Sequence, residues 1–129
     1  MNENSLTCLR LLSDSYSLCK VSEEFDISSV SDQIFCTIKE SGVTTLIYKQ
    51  NQNTVNHFLE ISHGWNALRI EAKLDFSQSG ILYSIISPLS KAKISILVVS
   101  TFDTDYIFFK EKDSEKALST LRFAGYQII

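Results

Sequence analysis

Between Ala67 and Ile129 the hydrophobic period of the sequence changes from two residues to about 3.6 and back, and then repeats the change. Few layered folds accommodate that rhythm. Leu68, Ile70, Ala72 and Leu74 alternate with Arg69, Glu71 and Lys73, which predicts a strand with one buried face over 67–74. Asp75–Ser79 reads as a polar turn. Ile81, Leu82, Ile85, Ile86 and Leu89 then recur at helical spacing and predict a helix over Gly80–Ala92 with one apolar stripe. Ser77 or Ser79 is placed to cap it. Pro88 should kink its last turns, because its missing N–H leaves the Ser84 carbonyl without a helical partner. Ile94–Ser100 is almost wholly apolar and β-branched, the pattern of a central strand. Thr101–Asp105 is a turn and Tyr106–Lys110 a strand. Asp113 should cap a second helix with Ala117, Leu118, Leu121 and Ala124 on its apolar face and Gly125 at its stop. Tyr126–Ile129 can add a closing strand.

The resulting order, β-α-β-β-α-β, is the α+β ferredoxin-like plan: an antiparallel four-stranded sheet with two helices on one face. The first half is strand-rich instead. Thr7–Leu12, Tyr16–Val21, Ile34–Lys39 and Thr44–Lys49 are short β-prone runs. Ser13-Asp14-Ser15 reads as a tight turn, and Glu40–Val43 as a hairpin turn with Gly42 free to take positive φ. Ser22–Asp32 is acidic and serine-rich, with room for one helical turn. Gln50–Asn56 is a polar connector between two structural halves.

Length and charge narrow the function. The 129 residues suit one domain or two very small ones packed together. With 44% hydrophobic and 21% charged residues, the chain is neither disordered nor low in complexity. Twelve Lys and Arg against fifteen Asp and Glu give a net charge of −3 with no basic stripe, which argues against nucleic acid as a partner. The start MNENS is polar and lacks the apolar run of a secretory signal. The longest uncharged stretch, Phe76–Ser90, contains five serines and a proline and is too short and polar to span a bilayer. Cys8, Cys19 and Cys36 form no C-x-x-C pair; each sits in an apolar run that favours core packing. A reducing, cytoplasmic setting is expected.

No phosphate-binding, nucleophile-elbow or zinc-protease motif occurs, so an enzyme is not expected and no cofactor is implied. His57 and His63 do not share a helix face and suit surface or capping roles better than a metal. Trp65 reads as a core or junction anchor. Two stretches carry the chemistry. The turn Asp75–Gly80 and the start of the following helix present unpaired N–H groups and a partial positive charge, which suit a carboxylate. Gly80, without a Cβ, lets a ligand reach the backbone of Gly80 and Ile81; the same glycine would equally serve to start a helix that packs closely on the sheet. In Thr101-Phe102-Asp103-Thr104-Asp105, two carboxylates share one tight loop. An α-ammonium group would relieve their repulsion, as would Lys, Arg, a metal ion or water. A plain solvated hairpin turn has the same composition.

The stretches LDFSQSGIL (74–82), SPLSKAKISILVVSTFDTDYIFFKE (87–111) and EKALSTLRFAG (115–125) resemble the ACT domain, and more narrowly the tandem-ACT proteins related to CASTOR-type cytosolic arginine sensors. His63-Gly64-Trp65 resembles the lead-in to that family's second unit. LRLLSDSYSLCKV (9–21) and IFCTIKESGVTTLIYK (34–49) resemble its degenerate first unit. Two departures stand out: EEFDISSVSD where the family has prolines, and Lys93 where ACT units often have glycine. The resemblance implies two ACT-like units in tandem, a degenerate strand-rich one over 1–61 and an ACT domain over 62–129. It implies a regulatory homodimer without chemistry of its own that binds a small molecule, an amino acid above all, between two units. Asp105 then matches the residue that holds the α-amino group, Thr101 lines that pocket, and Phe102 follows at the same strand end. Asp75, Gly80, Ile81 and Asp103 complete the expected site. Because the first loop of a β-α-β-β unit and the end of its second strand are read as lying at opposite ends of neighbouring strands, a ligand between units is the natural arrangement. The alternative is an ACT-fold structural or protein-interaction module without ligand binding.

Overall fold

The computed structural model describes residues 8–50, 57–71 and 79–129. The strands are β1 (Cys8–Leu11), β2 (Tyr16–Ser22), β3 (Ile34–Glu40), β4 (Val43–Lys49), β5 (Glu60–Ile70), β6 (Ile96–Ser100), β7 (Asp105–Lys110) and β8 (Gln127–Ile128). The helices are α1 (Ser79–Lys91) and α2 (Ser114–Phe123), with 3₁₀ turns at Ile27–Gln33 and Glu111–Asp113. Two compact units emerge. One comprises residues 14–65; the other takes the chain up to Ser13 together with 66–129. The boundary expected at 61/62 falls inside β5, and the connector over 51–56 lies outside the described residues.

In the unit of residues 14–65, β3, β4, β2 and the first half of β5 pair in that order, all antiparallel. The β3–β4 turn is the two-residue loop Ser41-Gly42, closed by Glu40 opposite Val43, with Gly42 at φ +84 as its position demands. Cys19, Val21, Leu46 and Tyr48 form the core, backed by Phe25, Ile27, Ile34 and Ile61. The acidic serine-rich stretch supplies the 3₁₀ turn, capped by Asp26, whose carboxylate accepts the Ser28 N–H at 3.1 Å.

β5 carries a bulge: Tyr16 faces Trp65 but Leu18 faces Ser62, so His63 and Gly64 stand opposite Ser17 alone. Gly64 takes φ +76 and gives its N–H to the Gln50 side chain at 2.7 Å. His63 is exposed, and its Nδ1 lies 2.7 Å from the hydroxyl of the fully buried Ser17. Among the described residues no group of three metal-ligating side chains forms.

The other unit follows the β-α-β-β-α-β order closely. Its strands pair as β8-β1-β5-β7-β6. Leu9, Leu68, Ile70, Ile107 and Phe109 are fully buried with Ile85 and Leu89 of α1 and Ala117 and Leu121 of α2, which puts both helices on one core with the sheet. Two expectations change. The turn at Ser13–Ser15 does not fold β1 back on β2; β1 lies between β5, antiparallel, and β8, parallel. Leu9–Leu11 pair with Leu68–Ile70 of β5, and Cys8 and Leu9 with Gln127 and Ile128 of β8. Second, β6 is an edge strand that pairs only with β7 among the described residues. Its apolar run reflects one face on the core and one partly exposed face, with no residue buried.

Pro88 does not end α1, which continues to Lys91. Both helices stop in the same way. At α1 the N–H of Lys93 bonds Ser90 O at 2.9 Å and that of Ile94 bonds Leu89 O at 3.1 Å. At α2 Gly125 bonds Arg122 O at 3.0 Å and Tyr126 bonds Leu121 O at 3.1 Å. These are Schellman closures, with Gly125 at φ +105 and Lys93 at φ +61 in the left-handed position. Asp113 precedes α2 as expected, but its side chain makes no capping bond. No helix of the described residues is long and apolar enough to cross a membrane.

Candidate functional site

The hairpin between β6 and β7 is built around one hydroxyl. Beyond the last strand pair, Ser100 opposite Asp105, the Thr101 N–H bonds Thr104 O at 2.8 Å. Thr101 Oγ1 accepts the N–H groups of Asp103 and Thr104, both at 3.2 Å, and donates to Thr104 O at 3.0 Å. A threonine side chain thus replaces the backbone carbonyl that would ordinarily close the turn. Thr101 was expected to line a pocket; its hydroxyl is engaged inside the loop. Phe102 projects at the tip, 82% exposed. Asp103 is exposed and Asp105 half-buried, and among the described residues neither forms an ion pair.

Thr104 is the residue that sequence reasoning passed over. It is buried, and its hydroxyl donates to Ile70 O, the last carbonyl of β5, at 2.8 Å. That bond seats the acidic hairpin at the end of β5. The strands before and after α1, β5 and β6, therefore finish on the same side of the sheet, not on opposite sides. The reason is topological: β5 and β6 are joined through a crossover helix, which returns the chain so that both strands finish on one side. The signal was the Thr-x-x-Thr spacing across the turn, in which one threonine faces the loop and the other the sheet.

Asp75 lies outside the described residues. Gly80 falls in the first turn of α1 and is exposed, with no described atom within 4 Å of where a Cβ would stand. Close packing against the described residues is therefore not what calls for glycine here. Ile81 is half-buried and packs on the core.

A charged cluster stands on the opposite face of the same sheet. Arg10 and Arg69 are directly paired across β1 and β5. Arg10 Nε donates to Glu71 Oε1 at 2.6 Å, Arg69 Nη1 donates to Glu71 Oε2, and Arg69 Nε donates to the Tyr106 hydroxyl at 3.1 Å. The Arg69 guanidinium also lies 5.9 Å from the centre of the Tyr106 ring. Hydrogen bonds from Arg10, then Arg69, hold the Glu71 carboxyl below the usual glutamate range. Like charges facing across strands repel, and Glu71 is what makes the arginine pair tolerable. The alternation of Arg69 and Glu71 against Leu68 and Ile70 had placed these charges on the outer face.

The unit of residues 14–65 has its own depression of about 230 Å³, lined by Leu18, Lys20, Thr45, Glu60 and Ser62, with the Lys20–Glu60 ion pair of 3.2 Å at its rim. Of the three free thiols, Cys19 is buried and Cys8 and Cys36 are half-buried. Burial pushes the Cys19 and Cys36 thiols up, which keeps them in the unreactive form.

One α+β unit thus carries the crossover helix, the acidic hairpin and the exposed glycine at the start of α1. The family profile described as ACT domain matches residues 60–122. Among solved structures, protein Atu0741 from Agobacterium tumefaciens is similar with a TM-score of 0.81 and 26% identity, over 95% of this chain and 92% of that one. The Vibrio cholerae protein VC0802, described as a possible transport protein, superimposes with a TM-score of 0.71 at 18% identity, over 92% and 90% of the two chains. The ligand-free regulatory subunit of aspartate kinase from Thermus thermophilus gives 0.68 at 9% identity, over 90% and 95%. At those last two identities the likeness is one of fold. No curated protein matches the sequence.

Proposed function

We propose that this chain is a regulatory, non-catalytic homodimer that binds a small molecule, an amino acid above all, at an interface between ACT units. The reading includes a degenerate ACT-like unit over 1–61, an ACT domain over 62–129 that borrows β1, a cytoplasmic setting, and kinship with the CASTOR-type arginine sensors. The observation that carries it is the Thr104–Ile70 bond, which keeps Asp103 and Asp105 at the strand end that leads to α1. Backbone N–H groups at the start of α1 take the ligand carboxylate, and Asp105 takes its ammonium. Gly80 and Ile81 offer backbone to the ligand. Thr101 holds the hairpin in shape, and Phe102, Asp103 and Asp75 border the ligand.

The test is a thermal-shift panel of the twenty amino acids on protein purified through unfolding and refolding. A ligand at a hundred times its dissociation constant adds ~2.7 kcal/mol and raises the midpoint by on the order of 10 °C. A shift confined to one or a few amino acids, lost in Asp105→Ala without loss of basal stability, is the expected result. A flat panel from folded protein overturns the ligand reading in favour of an interaction module. An equal shift in the variant removes Asp105 from the site.

A further inference from the structure

Asp105 opens β7, and both of its neighbours are tied to the end of β5. Thr104 gives its hydroxyl to Ile70 O at 2.8 Å, and the Tyr106 hydroxyl accepts from Arg69 Nε at 3.1 Å. The tethers therefore bracket Asp105 and end on two consecutive residues of one strand. Asp105 shares the face of Ile107 and Phe109, which pack with the helices, while Tyr106 takes the other face with Arg69. A hairpin held at one point can swing about it. Held on both sides of Asp105, its backbone there cannot shift without breaking a bond to β5.

The tether at Tyr106 is stiff because Arg69 is itself pinned. Its Nη1 donates to Glu71, whose other oxygen accepts Arg10 Nε at 2.6 Å, and its guanidinium lies 5.9 Å from the centre of the Tyr106 ring. One planar fork thus serves Glu71 and Tyr106 at once, with charge-assisted hydrogen bonds. A lysine ammonium could keep the charge beside Glu71 but could not reproduce that fork. Neutralising Glu71 does not by itself require a bond to Tyr106.

We propose that Arg69 is a positioning residue for ligand binding: acting through the Tyr106 hydroxyl, on the face of the sheet away from the helices, it fixes Asp105 where the ligand meets it. A binding group is effective only when the residues behind it hold it to a fraction of an ångström. The inference rests on the reading of Asp105 as a ligand residue, but its structural half is measured without ligand.

The first experiment follows amide hydrogen exchange in ligand-free protein. The Thr101 and Thr104 N–H groups, bonded to Thr104 O and Thr101 Oγ1, report on the hairpin; those of Leu11 and Ile129, bonded to Ile129 O and Leu9 O, report on the far edge of the sheet. Tyr106→Phe and Arg69→Lys should each speed hairpin exchange by about tenfold and leave the far edge unchanged. The double variant should be no worse than either, because both break one bond. Arg10→Gln, which leaves that bond in place, should not move the hairpin. The second experiment measures affinity for whichever of the twenty amino acids shifts the parent most. It should fall about tenfold in Tyr106→Phe and Arg69→Lys and stay at the parent value in Arg10→Gln. Unchanged hairpin exchange in Tyr106→Phe, equal acceleration across the sheet, or a loosened hairpin with undiminished affinity each overturns the proposal. A flat amino-acid panel overturns the ligand reading alone, and the exchange rates still decide whether Arg69 positions Asp105.

Discussion

Lys93 is the one described residue other than glycine with a positive φ, at +61. It ends α1 where Gly125, in the same hydrogen-bonding pattern, ends α2. A left-handed conformation costs a residue with a Cβ about 1–2 kcal/mol, and glycine returns part of that in unfolded-state entropy. Lys93→Gly should therefore raise stability by about 0.5–1 kcal/mol, read from the urea midpoint at high salt, where the lost charge is screened. An unchanged or lower midpoint would mean that the lysine is not strained. Gly80 makes the converse case. Nothing described crowds its Cβ position, so Gly80→Val should fold as well as the parent in thermal unfolding. Its binding of the panel's ligand should nevertheless fall, because the branched side chain blocks approach to the backbone. Undiminished affinity would remove the start of α1 from the site. Both residues were legible in the sequence as positions. What each does there depends on a φ angle and on empty space, which no residue pattern encodes.

At the scale of elements, the periodicities over 79–129 were readable because each helix and strand has one apolar face and a marked end. Partnerships were not. β1 reads the same whether it pairs with β2 or lies between β5 and β8, and β6 reads as central because an apolar strand looks alike wherever it sits. The bulge at His63-Gly64 was also hidden, since it is defined by what β2 places opposite. The β1–β5 pair carries its own pH dependence. Glu71 has a folded pKa below its unfolded one, so the stability it adds is present in full above the ordinary glutamate range and is lost as pH falls through the folded value. Glu71→Gln should lower the urea midpoint at neutral pH, leaving Arg10 and Arg69 opposed without a carboxylate. It should also flatten the decline of stability in acid. Parallel acid profiles for parent and variant would show that Glu71 contributes nothing to that decline.

At the scale of the whole molecule, the residues that match the ACT profile, 60–122, contain neither β1 nor β8. Leu9, on β1, is fully buried in the core those residues share. A fragment beginning at residue 60 should therefore fail to unfold cooperatively on heating, while the full chain does so; a sharp transition from the fragment would show that β1 is dispensable. The position of β1 also sets an order of events during synthesis. Arg10 meets Glu71 61 residues later in sequence, and Leu9 pairs as well with Ile128. On the ribosome, β1 emerges before either of the strands that flank it and must stay unpaired while residues 14–65 come out and close among themselves. The earliest of the described strands is thus among the latest to find its place, because both of its partners are made after residues 14–65.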